Sequence, residues 1–189
     1  MEAPPAGDSG LAVAVAKTAE GEWASLPPVA IGEVRDGPAN GHVLVSRAGT
    51  PILRIDVYFR ADDYEPKTAA EIWEGFVVVG YSAEVTLVGL ADSSRRTHRF
   101  NDRTTRPDSL FDYFCQLTPG PGWFLATSGT AILCLAPGGA LAWRRDGIAL
   151  DGVLVHDVDG GVIDGSAEWD PPGGWRPFSL SLATGEPAA

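Results

Sequence analysis

The chain has 189 residues, enough to bury a core, and its 44% hydrophobic and 21% charged residues exclude wholesale disorder. A net charge of −11 at pH 7 repels phosphate, so nucleic acid and anionic membranes are excluded as general partners, whereas a basic protein is not. Two cysteines, Cys115 and Cys134, are too few for a disulfide scaffold, and the apolar run at 11–16 is too short for a signal core or a membrane span; a cytoplasmic location is expected.

In chain order, residues 1–28 read as a flexible N-terminal tail, because Pro4, Pro5, Gly7, Gly10, Pro27 and Pro28 interrupt any regular period. The segment 29–189 reads as one β domain. Asn40-Gly41 is a tight-turn signal. Beyond it, Leu53, Ile55, Val57 and Phe59 alternate with Arg54, Asp56, Tyr58 and Arg60, which places the apolar set on one sheet face and predicts an exposed charged face. Four stretches repeat a glycine, an apolar strand, a small or polar turn and a second strand. They begin at Gly41, Gly75, Gly122 and Gly152, at spacings of 34, 47 and 30 residues. Further strands follow at 97–100, 140–144 and 178–182. A hairpin with one or two added antiparallel strands is the unit of a propeller blade. Leu110, Phe111, Phe114 and Leu117, behind Pro107-Asp108, have the spacing of a short amphipathic helix near 107–117, and 68–73 reads as a further helical turn.

The string GTAILCLAPGGALAWRR at 129–145 resembles a quinoprotein-like (PQQ-like) propeller repeat, and SLSLATGE at 179–186 resembles the Thr-Gly turn of that repeat. The resemblance is best over 122–186 and implies a propeller-like fold of about four units. It does not imply the quinone, for which neither enough blades nor a ligand set is present, so no cofactor is expected. WDPPGGWRPF at 169–178 resembles a string of bacterial proteins and implies no function.

Chemistry-bearing residues are sparse. HDVDGGVIDG (156–165) has an Asp-x-Asp-Gly stretch but lacks the further carboxylates of a calcium loop, so a hairpin turning at Asp159-Gly160-Gly161 is preferred and no metal is expected. Seven carboxylates and no Lys or Arg lie between Asp146 and Asp170. In contrast, Arg95, Arg96, Arg99, Arg103 and Arg106 crowd 95–106, where they grip an anionic partner or pair within the chain. In WDPPGGWRPF, paired prolines and glycines hold Trp169 and Trp175 beside Arg176; Trp169 is expected to plug the core and Trp175 to face a partner. There is no nucleophile elbow, Walker loop, CxxC or HExxH. The expected fold is all-β with antiparallel hairpin repeats. The expected function is a non-catalytic binding protein, of the kind an immunity-type inhibitor would be, that presents Trp175, Arg176, Arg95, Arg96, Arg99 and Arg103 to another protein. Two alternatives are an enzyme using His98 and His156 as acid–base residues and a structural subunit of a larger assembly.

Overall fold

The computed structural model describes residues 10–61, 67–100 and 112–188. They divide between two compact units, Met1–Phe59 and Arg60–Ala189. In the first, strands β1 (Leu11–Ala16), β2 (Pro28–Gly32), β3 (Gly41–Arg47) and β4 (Thr50–Tyr58) form a sheet in the order β1-β3-β4-β2, with one helical turn, α1 (Glu22–Ser25). β1 pairs antiparallel with β3 and β2 runs parallel to β4. The expected flexible tail is therefore corrected over Leu11–Ala16. That segment zips onto the edge of β3, with Val13 opposite Val45, and satisfies backbone groups that β3 would otherwise present unpaired. Its half-exposed alanines and valines gave little burial signal.

The hairpin expected after Gly41 is β3–β4. Val43, Val45, Ile55 and Val57 are fully buried on one face, as the alternation requires. The expectation that Arg54 and Asp56 lie open on the other face is corrected, because Asp56 is only 4% exposed. Arg54 forks onto it, with Nε and Nη2 each 2.8 Å from a carboxylate oxygen, and His42 Nδ1 lies 2.7 Å from Oδ1. Arg54 Nη1 also donates to the Ala24 carbonyl oxygen, so the α1 segment covers this face. Burial pushes the Asp56 carboxyl upward, but the hydrogen bonds and charges of Arg54 and His42 outweigh it and hold the group below the usual carboxylate range.

The second unit contains three antiparallel meanders. The first is β5 (Thr68–Trp73), β6 (Phe76–Tyr81), β7 (Glu84–Gly89) and β8 (Arg95–Arg99). The second is β9 (Phe114–Gly120), β10 (Trp123–Ser128), β11 (Ala131–Ala136) and β12 (Ala140–Asp146). The third is β13 (Val153–Asp159), β14 (Val162–Glu168) and β15 (Trp175–Ser181). The hairpins expected after Gly75, Gly122 and Gly152 are β6–β7, β10–β11 and β13–β14. A meander of three or four antiparallel strands is the architecture of a propeller blade, and the fold is all-β and propeller-like.

Two helical readings are corrected. The segment Thr68–Trp73 is strand β5. Of the helix expected near 107–117, residues 107–111 lie outside the described residues, and Phe114–Leu117 open strand β9. A β-bulge explains the false period. The register of β9 against β10 slips between Thr127 and Ser128, so Phe114 and Leu117, three apart, pack against the same core cluster. In β5, Ala69 and Trp73 share that cluster at a spacing of four, which fits period two as well as period 3.6.

The sheets stack through two cores. Trp73, Val85, Leu87, Phe114, Phe124 and Leu135 lie between the first and second meanders. Leu125, Ile132 and Cys134, from the opposite face of the second, meet Val153, Val155, Ile163 and Leu180 of the third. Strand β9 lies between β5 and β13, so the opening strand of each meander is gathered at one place. Among the described residues no helix is long and apolar enough to cross a membrane.

Candidate functional site

Three side chains, Gln116, Thr127 and Tyr113, hold β13 and the residue pair before it to the second meander. The Gln116 amide docks on Val155 like a piece of strand, its Nε2 donating to the Val155 carbonyl at 3.1 Å and its Oε1 accepting the Val155 N–H at 2.9 Å. The Thr127 hydroxyl donates to the Val153 carbonyl at 2.9 Å. The Tyr113 hydroxyl, just before β9, lies 2.7 Å from Asp151 Oδ1 and 3.0 Å from the Asp151 carbonyl. On the other side of β9, Lys67 Nζ donates to the Cys115 carbonyl at 2.5 Å and lies 5.7 Å from the centre of the Phe114 ring.

These bonds outline a cleft of about 310 Å³ where β5, β9 and β13 begin, walled by Lys67, Tyr113, Phe114, Asp151, Glu168 and Trp175 among others. Trp175 reaches it because β15 pairs with β14 so that Trp175 stands opposite Glu168. The far edge of the indole approaches Gly152, where an added Cβ would come within 2.7 Å of it; glycine leaves the room the ring needs. Glu168 is 9% exposed, and its Oε1 accepts the Gly173 N–H, tying the Trp-Pro-Gly loop to the sheet. The loop closes on itself: Trp169 N–H donates to the Gly174 carbonyl at 3.0 Å and Gly174 N–H to the Asp170 carbonyl at 3.0 Å. It therefore fixes the backbone that enters β15 at Trp175, and 42% of that residue remains exposed. Trp169, expected to plug the core, is instead 36% exposed at the strand end. The core face of this sheet is supplied by Ile163, Ala167 and Leu180 instead.

The other expected residues lie elsewhere. Arg176 is exposed on β15. Arg95, Arg96 and Arg99 lie on β8, in a different sheet from Trp175, and Arg103 and Arg106 lie outside the described residues. Arg96 Nη1 donates to the Gly138 carbonyl at 2.8 Å, and Arg99 Nε is 2.8 Å from Glu84 Oε1. His98 Nε2 is 2.9 Å from the Gly139 carbonyl oxygen, whereas His156 Nε2 is 2.9 Å from the Ser166 hydroxyl in another sheet. Each histidine has its own local partner. Asp157 and Asp164 face each other across the β13–β14 hairpin, whose turn runs through Asp159-Gly160-Gly161, as the glycines required. Among the described residues no three His, Cys, Asp or Glu side chains are grouped to hold a metal.

Sequence reasoning missed Lys67, Tyr113 and the cleft role of Asp151 and Glu168. The available signals were thin: Lys67 is one of only two lysines, and both carboxylates belong to the acidic run. Of the thiols, Cys134 is buried and its pKa is pushed up to about 11 by desolvation, while Cys115 is half-buried on the cleft wall.

No protein-family model matches the chain, and no curated protein matches it. Among solved structures, the WD40 domain of Neurospora crassa Pan2 is similar at 9% identity and a TM-score of 0.49, over 69% of this chain and 39% of that one. The AfRom2 CNH domain is similar at 11% identity and a TM-score of 0.43, over 85% of this chain and 52% of that one. The chain thus spans about half or less of the length of these structures. The propeller-like assignment rests on the meander topology itself.

Proposed function

We propose that this protein is a non-catalytic binding module that engages another protein through the outward face of its last sheet. The observation that carries the reading is Trp175, a large aromatic on a backbone tied by hydrogen bonds, 42% exposed at the rim of a cleft. A pre-ordered aromatic loses little conformational entropy on binding, and tryptophan is prominent among residues that dominate interface energy. Leu154, Glu168, Trp175 and Pro177 share one face by register, and Leu154 is 38% exposed. With seven carboxylates between Asp146 and Asp170 and a net charge of −11, the favoured partner is basic. The repeat-like strings at 129–145 and 179–186 support a blade-forming scaffold for this face and supply no cofactor chemistry. Inhibition of a basic toxin or enzyme, as by an immunity-type protein, is one use of such a face. Arg176, the next residue along β15, pairs with Ala167 and so points to the opposite face of the sheet; the sequence expectation that it joins Trp175 in one contact surface is corrected by the alternation of the strand.

The test is affinity capture from the native host with wild-type protein, Trp175→Ala and Leu141→Ala, the last removing an exposed apolar side chain on a different sheet. A basic protein retained by wild type and Leu141→Ala and weakened about 30-fold or more by Trp175→Ala, with all three melting alike, supports the reading. Equal retention by Trp175→Ala overturns it.

A further inference from the structure

We propose that the cleft beside Trp175 receives an arginine side chain of the partner; this rests on the binding reading above and names the chemistry of its central contact. The cleft offers three things that a guanidinium needs together. Trp175 gives an aromatic face, and cations are attracted to the electron-rich face of indole more than to that of any other ring. Asp151 and Glu168 give carboxylates on the same lining, and both are held in place by internal donors, Tyr113 Oη–H for Asp151 and Gly173 N–H for Glu168. A carboxylate fixed by one bond on one oxygen keeps further lone pairs for an incoming fork. The third is a partial recess, of about 310 Å³ and open to solvent on one side, in which Glu168 is 9% exposed.

Lys67 also lines the cleft, and its ammonium is engaged with the Cys115 carbonyl and the Phe114 ring. Two carboxylates against one ammonium leave the lining with a formal charge of −1, the sign that welcomes a cation. An anionic side chain meets both carboxylates and finds its one cation already hydrogen-bonded, so it is disfavoured. Arginine is preferred over lysine because its planar fork stacks on indole while donating in its own plane to carboxylate, two contacts that an ammonium does not make at once.

The probe is the pentapeptide acetyl-Gly-Gly-Arg-Gly-Gly-amide, whose single charge keeps general attraction to the acidic chain small. Its neutral counterpart carries citrulline in place of arginine. Titration is followed by the indole N–H resonance of Trp175, assigned by its loss in Trp175→Phe. The expected result is saturable binding of the arginine peptide at least tenfold tighter than that of the citrulline peptide. Asp151→Asn and Glu168→Gln, each of which keeps an oxygen for its internal donor, should weaken it at least fivefold without altering the melting temperature. Equal binding of the two peptides, no saturable shift at millimolar peptide, or full affinity in both carboxylate variants overturns the inference. If the peptide fails while Trp175→Ala still abolishes partner capture, only the arginine assignment falls; if capture ignores Trp175, the broader reading falls with it.

Discussion

Gly80, near the end of β6, offers a test of how the first two meanders are locked together. A Cβ placed on it would lie 2.3–2.5 Å from three atoms of the Phe114 ring, where ordinary contact begins near 3.4 Å. Gly80→Ala therefore demands a retreat of about 1 Å by a ring that has nowhere to go. Phe114 is 1% exposed and packs in the cluster of Trp73, Phe100 and Phe124, and its own N–H donates to the Ser82 carbonyl at 2.6 Å. Overpacking of this kind costs about 1–3 kcal/mol. For a chain of this size that corresponds to a fall in melting temperature of roughly 3–9 °C. Differential scanning calorimetry on the native protein measures it. A double mutant supplies the internal control: Phe114→Leu removes the ring edge, so Gly80→Ala in that background should be milder by at least about 1 kcal/mol than in wild type. A melting temperature within about 1 °C of wild type, or strictly additive effects, would refute the account of a glycine reserved for an aromatic ring.

Two other outcomes follow from the first unit. Asp56 has its carboxyl held below the ordinary value, so its contribution to stability is fully present above about pH 4 and is lost as pH falls through the depressed folded value; Asp56→Asn should flatten that acid limb in a urea-denaturation series, and an unchanged pH profile would dismiss the His42–Asp56–Arg54 cluster as a contributor. Deleting residues 1–17 removes β1 and bares the edge of β3, so the melting temperature should drop by about 5 °C and self-association should rise, as read by light scattering; an unaltered melt would restore the flexible-tail reading.

The hairpins were legible because a strand that buries one face must alternate, and Leu53, Ile55 and Val57 do so regardless of what lies beyond them. Readings failed where a strand owed its place to a distant partner or to an irregular register. β1 is chosen by the open edge of β3, about thirty positions away, and its own alanines carry little hydrophobic pattern. β9 carries a bulge that imitates a helical period. The burial of Asp56 was hidden because the sequence shows a charge on the outer face and not the Arg54 and His42 side chains that make its burial tolerable. At the site, the exposure of Trp175 was legible from its place after a Gly-Gly reversal. The cleft was not, since Lys67, Tyr113, Asp151 and Glu168 converge only once three meanders are stacked.

The meander connectivity has a consequence for the order in which the chain acquires structure. In the second unit every strand pairing joins neighbours in sequence, so each sheet closes from a stretch of about thirty residues and pays little loop entropy. The first unit is wired differently: β2 waits for β4, which lies beyond β3, and β1 waits for β3 across the whole of α1 and β2. Of the two units, the one synthesised earlier is thus the one whose contacts are longest in range, and the later sheets are able to assemble while it is still searching. Early exposure of the β3 edge during that interval makes the amino-terminal unit the place where a crowded nascent chain is most open to mispairing.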